Sequence, residues 1–523
     1  MRFMKSFSKF ILFFHLIVLL SYGCKSGEKS TQTGKYGGEI KVRLLDNPTD
    51  LDPRTSRDAV SYRIIELVYS SLFKFDSTGN PQPEIVKSWS IKNELEYHFE
   101  IYDSIYFHNG SKLTVDDIIF TYQWMIDHPE KAVSPLFNKL IKRMEKINDY
   151  TFKIILNEIY ASFTGLLTIG IVPKDIAREN DNWLRTKPIG SGPFIFEHWD
   201  PDLEIKLKAN YQYFHGRPYL NSLIFKIIPD GNTAVLALNS GDIDFMMNNF
   251  NLSNLKEFEQ NPDLKILYGN GSNYTYLAFN FRNRYLRKKT VRKAIAHAID
   301  VEAIINRLHF GIHEKANSLL HKNHWAYENK LPWISYNPDK AKELLDQAGY
   351  RDPDGDGPAT RFTLVYKCTD KQSSRQKAQI IQSYLAKVGI KVDIQANEWG
   401  IFFNDISRGM FDLYSATYVG IYDPDFYYNI FHTDNLRGGG NRFYYRNKEM
   451  DNLILLSQAT LDPLVRRQYL SQIQFLAAED LPVLSLWHEK NVAVMKKNIE
   501  NFTIYPAAEY KSFERVYLRS DKN

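Results

Sequence analysis

Between residues 362 and 419 the sequence alternates between strand-like and helix-like segments, and this alternation restricts the fold more than any other feature of the chain. The predicted segments are, in order, strand 362–367, helix 374–388, strand 390–396, helix 399–407 and strand 411–419. Gly389 ends the first of these helices. Because strands joined through helices run parallel with right-handed crossovers, the pattern predicts an α/β fold built on a parallel sheet.

The same alternation predicts where a ligand would bind. Ligands of open parallel sheets bind beyond the carboxyl ends of the strands. In this chain those ends are followed by residues 368–371, 397–399 and 418–425. Trp399, Tyr418 and Tyr422 lie in these segments, and their aromatic rings make them candidates for stacking on a ligand.

Length and charge restrict the class of protein. At 523 residues the chain is longer than one ordinary hydrophobic core, so two or more lobes are expected. The 66 basic and 61 acidic residues give a net charge of only +5, and the two kinds are interspersed along the sequence. This argues against a nucleic-acid-binding protein, which concentrates its basic charge on one face.

The N-terminal residues indicate an exported protein. A basic start precedes an apolar run over residues 10–20, which is too short to span a bilayer and predicts a cleaved signal peptide over residues 1–23. Cys24 follows in a lipobox-like setting and is predicted to carry a lipid anchor, with residues 24–36 as a flexible tether. An ordinary signal peptide with an incidental cysteine is the alternative. The other cysteine, Cys368, is predicted to be a free thiol.

Several motifs follow one another in an order that is specific to one protein family. They are Phe-His-Asn-Gly at 107–110, Pro-Ile-Gly-Ser-Gly-Pro-Phe at 188–194, Asn-Tyr-Gln-Tyr-Phe at 210–214, Gly-Asp-Ile-Asp at 241–244, Val-Arg to Ala-Ile-Asp at 291–300, and Asn-Pro-Asp to Ala-Gly-Tyr at 337–350. Together they resemble the family 5 (peptide/nickel-type) extracellular solute-binding proteins of bacterial ABC importers. The resemblance extends over roughly residues 37–502. Within it, His108 is interpreted as a turn histidine that supports the fold.

The resemblance implies a bilobed periplasmic-binding-protein fold of type II, of the large peptide-binding class, with an extra subdomain in lobe one. The implied boundaries are 37–270 for lobe one, about 60–185 for its inserted subdomain, 271–487 for lobe two and 488–523 for a return to lobe one. Such a protein is expected to be a monomer that closes by a hinge and works with an ABC permease of the inner membrane. It is expected in the periplasm or cell envelope, anchored by its N-terminal lipid.

The resemblance also places the binding cleft at the loop over residues 418–425. The candidate ligand-binding residues are Trp399, Tyr418, Tyr422, Asp423, Tyr62, Arg437 and Trp487. The loop departs from the peptide binders of the family, because Gly420 and Ile421 stand where those proteins carry an aspartate that pairs with the ligand's α-ammonium. A buried ammonium without a counter-charge is costly, so either Asp423 takes over this role or the ligand differs. The alternative for Asp423 is a turn-former before Pro424.

Three further features have structural as well as functional interpretations. Arg437 lies in a glycine-rich segment that either clamps a carboxylate or phosphate or is a surface loop. Trp487 ends a strand-like run and either stacks on the ligand or packs in the core. Residues 352–357 imitate the start of a calcium loop, but Thr363 stands where the bidentate glutamate would be, so no metal site is expected.

The resemblance implies a receptor without a cofactor or catalytic residue, the substrate-binding protein of an ABC importer that captures oligopeptides or dipeptides. The first alternative is a receptor for a nickel chelate or another small solute, because Tyr422-Asp423-Pro424 is closer to the nickel-chelate members. An exported hydrolase is less expected, since the sequence has no His-Glu-x-x-His, Gly-x-Ser-x-Gly or phosphate-binding motif. Gly190-Ser191-Gly192 lacks the glycine two residues before the serine that a nucleophile elbow needs.

Overall fold

The computed structural model describes residues 35–355, 357–436 and 439–519. The predicted signal peptide, Cys24 with most of the tether, and Arg437 lie outside these residues. None of the helices in the described part of the chain combines the length and the apolar character needed to cross a membrane.

The described residues form strands and helices in mixed order. The strands are β1 (Glu39–Leu44), β2 (Phe73–Phe75), β3 (Pro81–Pro83), β4 (Val86–Lys92), β5 (Glu96–Ile101), β6 (Ile141–Asn148), β7 (Thr151–Leu156), β8 (Phe194–Asp200), β9 (Glu204–Ala209), β10 (Ser222–Ile227), β11 (Phe245–Met247), β12 (Leu264–Phe279), β13 (Glu314–Lys315), β14 (Phe362–Thr369), β15 (Ile390–Asn397), β16 (Leu413–Tyr418), β17 (Val483–Lys496), β18 (Ile499–Glu500) and β19 (Tyr517–Leu518). The helices are α1 (Ala59–Val68), α2 (Val115–Asp127), α3 (Leu136–Leu140), α4 (Phe163–Leu166), α5 (Lys174–Glu179), α6 (Gly231–Ser240), α7 (Leu255–Gln260), α8 (Lys289–Ala298), α9 (Val301–His309), α10 (Pro338–Gln347), α11 (Gln372–Ala386), α12 (Trp399–Ser407), α13 (Phe426–Phe431), α14 (Lys448–Gln458) and α15 (Pro463–Asp480).

One large sheet runs through the molecule. Its strand order is β15-β14-β16-β12-β17-β11-β1-β10-β9-β8, with β13 paired to β17. The long strands β12 and β17, of 16 and 14 residues, pair with each other in antiparallel orientation. β12 also pairs with β16, and β17 also pairs with β11. These two strands therefore connect the two ends of the sheet.

The parallel unit predicted from the sequence is present at one end of this sheet. β14 runs parallel to both β15 and β16, and α11 and α12 are the helices between these strands. The observed bounds of all five elements agree with the predicted ones to within about two residues. The segments after β15 and β16 therefore lie at the same edge of the sheet, as expected for a ligand-binding edge.

The molecule has two lobes, and each lobe has its own hydrophobic cores. We use lobe one for the residues before β12 and after β17, and lobe two for the residues between these strands. The main core of lobe one combines residues of β1, α1, β9 and β10 with residues of the C-terminal segment after β17. A second core in lobe one belongs to the antiparallel sheet β4-β5-β7-β6 and to α2. Two further cores fill lobe two.

The glycines of the 188–194 motif let two segments of lobe one meet. A Cβ on Gly190 would lie 2.1 Å from the carbonyl oxygen of Val68, and one on Gly192 would lie 2.8 Å from the same oxygen. The Gly192 N–H donates to this oxygen over 2.8 Å, so the motif covers the C-terminal end of α1. His108 Nε2 donates to the Gly192 carbonyl oxygen over 3.0 Å, and burial lowers the pKa of His108 to about 4. His108 is thus a neutral residue that holds this turn.

Candidate functional site

The loop after β16 reaches from lobe two to lobe one through Tyr422. The Tyr422 ring stacks on Phe75, with ring centroids 5.0 Å apart and an angle of 6° between the planes. Its hydroxyl donates to Glu509 Oε2 over 2.5 Å and accepts the Ala507 N–H over 2.6 Å. Because Phe75, Ala507 and Glu509 all belong to lobe one, this predicted site residue joins the two lobes.

Asp423 makes a second contact between the lobes. Ser162 of lobe one donates its hydroxyl to Asp423 Oδ1 over 2.7 Å. Arg466 of lobe two lies 3.5 Å from the same oxygen and 2.9 Å from Asp425 Oδ1. Burial, together with the charge of Asp423, raises the pKa of Asp425 to about 6. The Oδ1 atoms of both carboxylates are therefore held by protein groups, whereas Asp425 Oδ2 is buried without a hydrogen-bond partner among the described residues. Ammonium binding by Asp423 stays a prediction.

Tyr418 and Trp399 lie at the predicted edge of the sheet but in different surroundings. Tyr418, the last residue of β16, stacks on Tyr276 with ring centroids 4.7 Å apart. Trp399, the first residue of α12, is 56% exposed and lies 5.8 Å from the Phe403 ring of its own helix. An exposed indole at this edge is free to stack on a ligand, although its aromatic contacts do not include Tyr422. The ligand-binding role of both residues stays a prediction.

Trp487 lies in the core of lobe two. It is 2% exposed, and its ring centroid is 4.9 Å from that of His309. The Lys377 ammonium lies 5.5 Å from the indole centroid, and burial lowers the pKa of this lysine to about 8. These surroundings favour core packing over stacking on a ligand. A ligand-binding role for Trp487 stays a prediction, and Arg437 lies outside the described residues.

A polar cavity of about 50 Å³ lies in lobe one beside the partners of Tyr422. Phe75 and Glu509, which contact Tyr422, both line this cavity. The other polar residues of its lining are Tyr62, Glu66, Tyr69, Ser71, Lys74, Glu84, Thr168, Lys511 and Glu514. Tyr62, which is 41% exposed, is the sequence-predicted site residue among them.

Ion pairs neutralise most of the charge in this cavity. Lys74 Nζ lies 3.8 Å from Glu84 Oε1 and 3.5 Å from Glu514 Oε2. Lys511 Nζ lies 3.1 Å from Glu509 Oε1. Because Glu509 also accepts the Tyr422 hydroxyl, the cavity and the loop between the lobes share a side chain.

Glu66 is the cavity residue that sequence reasoning missed. Its Oε1 accepts the Tyr510 N–H, whereas its Oε2 is buried and has no hydrogen-bond partner among the described residues. Burial, followed by the charge of Glu509, raises the pKa of Glu66 to about 8. Glu66 lies one helical turn after Tyr62 on α1, and this spacing could have placed the two side chains together.

The described residues contain no group of three or more histidine, cysteine, aspartate or glutamate side chains arranged to hold a metal ion. Asp356, within the calcium-like segment, lies outside the described residues. Cys368 is a free thiol in β14, and burial raises its pKa.

Comparisons with known proteins support the family resemblance. The family described as bacterial extracellular solute-binding proteins, family 5 (middle), matches residues 80–438. The oligopeptide-binding protein AppA of Bacillus subtilis (strain 168) is 32% identical over 515 residues, which cover 94% of this chain and 94% of AppA.

Solved structures show the same similarity over nearly the whole chain. The oligopeptide-binding protein AppA from Bacillus subtilis in complex with a nonapeptide has a TM-score of 0.75 at 30% identity, covering 93% of this chain and 100% of AppA. The periplasmic binding protein DppA from Helicobacter pylori in complex with the peptide STSA has a TM-score of 0.77 at 26% identity, covering 94% of this chain and 100% of DppA. The predicted bilobed fold of type II is therefore confirmed.

Proposed function

Because this chain belongs to the bacterial extracellular solute-binding proteins of family 5, we propose that it captures peptides between its two lobes for an ABC importer. The observation that carries this proposal is the loop with Tyr422 and Asp423. The loop follows β16, at the edge where parallel sheets bind ligands, and it contacts lobe one through Phe75 and Ser162. The relatives bound to a nonapeptide and to the peptide STSA support peptides as the ligand class.

Capture would proceed by closure of the lobes around the ligand. A ligand favours the closed arrangement only if it binds that arrangement more tightly than the open one, which requires contacts with both lobes. The pairing of β12 with β17 changes register between Asn270 and Tyr274. The Ile421 N–H donates to Ser272 O in this stretch over 3.1 Å, so the loop and the irregular strand segment are linked. We place the hinge at residues 269–273 and 487–492.

The strands β12 and β17 also mark where the chain passes from one lobe to the other. We propose that lobe one comprises residues 37–270, with the inserted subdomain at about 60–185, and that lobe two comprises residues 271–487. Residues 488–523 would return to lobe one. The boundaries at 270 and 487 fall inside β12 and β17, which supports a hinge formed by strands shared between the lobes.

The family is extracellular, and we infer in addition that this member is held at the membrane by a lipid on Cys24 after cleavage of residues 1–23. Cys24→Ser is expected to move the protein from the membrane fraction to the soluble fraction without changing its melting temperature. Ser26→Ala, in the same tether, is the matched control and should stay in the membrane fraction. A Cys24→Ser protein that still sediments with membranes would show that another group forms the anchor.

Calorimetry and native mass spectrometry with short peptides test the proposed function. We expect one peptide to bind per chain and to be recovered with unchanged mass, because a receptor releases its ligand intact. A cleaved peptide would instead support an exported hydrolase. A nickel–histidine mixture serves as the parallel ligand. If this mixture binds while no peptide does, the peptide proposal is wrong.

A further inference from the structure

The polar cavity of lobe one holds more negative than positive charge. Its lining includes the carboxyl groups of Glu66, Glu84, Glu509 and Glu514, but only the two ammonium groups of Lys74 and Lys511. The ion pairs of these lysines involve Glu84, Glu514 and Glu509. Glu66 is the carboxyl group that lacks an ion pair within the described residues.

Two polar atoms in the cavity wall lack a hydrogen-bond partner. One is Glu66 Oε2, and the other is the hydroxyl of Tyr69, a residue that is 3% exposed. Buried polar groups in folded proteins are nearly always hydrogen-bonded, because an unmade bond leaves the cost of desolvation uncompensated. A carboxylate oxygen and a phenol oxygen can each accept a hydrogen bond, so a ligand group with several N–H donors would suit this lining.

The cavity has room for a small donor group. Its volume of about 50 Å³ exceeds the roughly 10–15 Å³ of cavity volume that one water molecule needs. An ammonium group with its adjoining carbon fits this space. An ammonium group also supplies three N–H donors and a positive charge, which matches the excess of carboxyl groups.

The loop of lobe two also holds a buried carboxyl oxygen without a hydrogen-bond partner among the described residues, Asp425 Oδ2, but Asp425 already has an ion pair with Arg466, which Glu66 lacks. Asp423 Oδ1 accepts the Ser162 hydroxyl, and Arg466 lies 2.9 Å from Asp425 Oδ1. Glu509, by contrast, lines the cavity and contacts Tyr422 of this loop. A ligand bound between the lobes at Tyr422 would therefore be next to the cavity of lobe one.

We propose that this cavity is a subsite for an ammonium group of the bound peptide, with Glu66 as its counter-charge. The inference rests on the proposed function and names the ligand chemistry that lobe one selects. The ammonium group is either the α-ammonium of the peptide or the ε-ammonium of a lysine side chain. Glu509 and the Tyr69 hydroxyl would complete the subsite.

The protonation of Glu66 supports this assignment. Its pKa, raised to about 8 by burial and by Glu509, leaves the side chain mostly neutral at pH 7. The other charged groups that act on it are Lys511, from the C-terminal segment, and Arg63, from its own helix, and both favour its ionised form. A bound ammonium favours the ionised form further, so binding at pH 7 should release a proton from Glu66.

Calorimetry with four matched peptides tests the subsite and separates the two sources of the ammonium group. The four peptides share one sequence and differ in two respects. The N-terminus is either free or acetylated, and one position carries either lysine or norleucine. We expect wild type to bind the fully uncharged peptide roughly 10- to 100-fold more weakly than at least one peptide with an ammonium group, as for loss of a charge-assisted hydrogen bond. Titrations in two buffers of different ionisation enthalpy should report release of up to about one proton for the peptides with an ammonium group.

Variants then assign the counter-charge. Glu66→Gln should bind all four peptides with similar affinity and without proton release, whereas Glu204→Gln, a carboxylate outside the cavity lining, should behave as wild type. Equal binding of all four peptides by wild type overturns the subsite but leaves the proposed function intact. The subsite is also overturned if Glu66→Gln still distinguishes peptides with an ammonium group from the uncharged peptide. The same holds if Asp423→Asn, and not Glu66→Gln, loses this distinction. If none of the peptides binds to wild type, the proposed function fails and the subsite fails with it.

Discussion

Glu66 and Asp425 are buried carboxyl groups that differ in how they are neutralised. Arg466 lies 2.9 Å from Asp425, whereas Glu66 has no ion pair within the described residues. Burial raises the pKa of Asp425 to about 6 and that of Glu66 to about 8. A carboxyl group with a raised pKa keeps its proton in the folded state after the unfolded chain has lost it. Folding stability therefore falls as the pH rises between the unfolded and the folded pKa.

Glu66→Gln is expected to flatten the pH dependence of stability between about pH 5 and pH 8 and to raise the free energy of unfolding at pH 8, by on the order of 1–4 kcal/mol. The glutamine keeps an oxygen for the Tyr510 N–H but cannot ionise. Urea denaturation at pH 5 and pH 8 measures both effects. The control Glu204→Gln should change the free energy of unfolding at pH 8 in the opposite direction. The hydrogen bond from Lys226 lowers the pKa of Glu204, so the variant loses stability at this pH. Parallel pH profiles for wild type and Glu66→Gln would contradict this assignment.

At the scale of single elements, local signals predicted helices and strands that carry their own start and stop. Thr114 and Asp117 form a capping box at the start of α2, and the Asp300 carboxylate accepts the Ala303 N–H at the start of α9. The end of α1 at Val68 has another origin, because the 188–194 motif, which is distant in sequence, meets the helix there. The cavity was missed for the same reason. It joins α1 to a C-terminal segment without a periodic pattern, and such contacts are not encoded in local periodicity.

Deleting residues 499–523 is expected to destabilise lobe one more than lobe two. The deletion removes core residues Ile499, Phe502, Ala508, Tyr510, Phe513 and Val516 of lobe one. Each large apolar side chain contributes about 1.5–3 kcal/mol on burial, so their joint loss rivals the stability of a whole domain. Hydrogen exchange should become faster in β1 and β10 but change little in β14 and β15. Truncation after residue 519 is the control, and unchanged protection of β1 in the deletion variant would contradict the proposed return to lobe one.

At the scale of the whole molecule, two strands and one loop connect the lobes. β12 and β17 carry the chain between them, and the loop of Tyr422 and Asp423 adds contacts that opening would break. The parallel sheet predicted this loop as a site. Its partners in lobe one could not be predicted, because Phe75, Ser162 and Glu509 come from three segments that are distant in sequence. The sequence thus predicted the position of the loop at this edge of the sheet but not the contacts that hold it against lobe one.

Tyr422→Ala is expected to shift the unliganded protein towards open arrangements. The variant loses the stacking on Phe75, worth about 0.5–1.5 kcal/mol, and two hydrogen bonds, worth about 1 kcal/mol each. These losses together correspond to a change on the order of 100-fold in the ratio of open to closed molecules. Tyr422→Phe keeps the stacking but loses the hydroxyl contacts with Glu509 and Ala507, so it should be intermediate.

Small-angle scattering and distances between spin labels on the two lobes measure this shift, since opening increases both the radius of gyration and the label separation. Tyr211→Ala is the control, because Tyr211 is 62% exposed in lobe one and its ring faces Arg217 of the same lobe. A saturating peptide should restore the closed arrangement in Tyr422→Phe, because contacts of the ligand with both lobes replace the lost hydroxyl contacts. Identical label distances in wild type, Tyr422→Phe and Tyr422→Ala would mean that the contacts of Tyr422 do not govern closure. The strands β12 and β17 would then set the angle between the lobes by themselves.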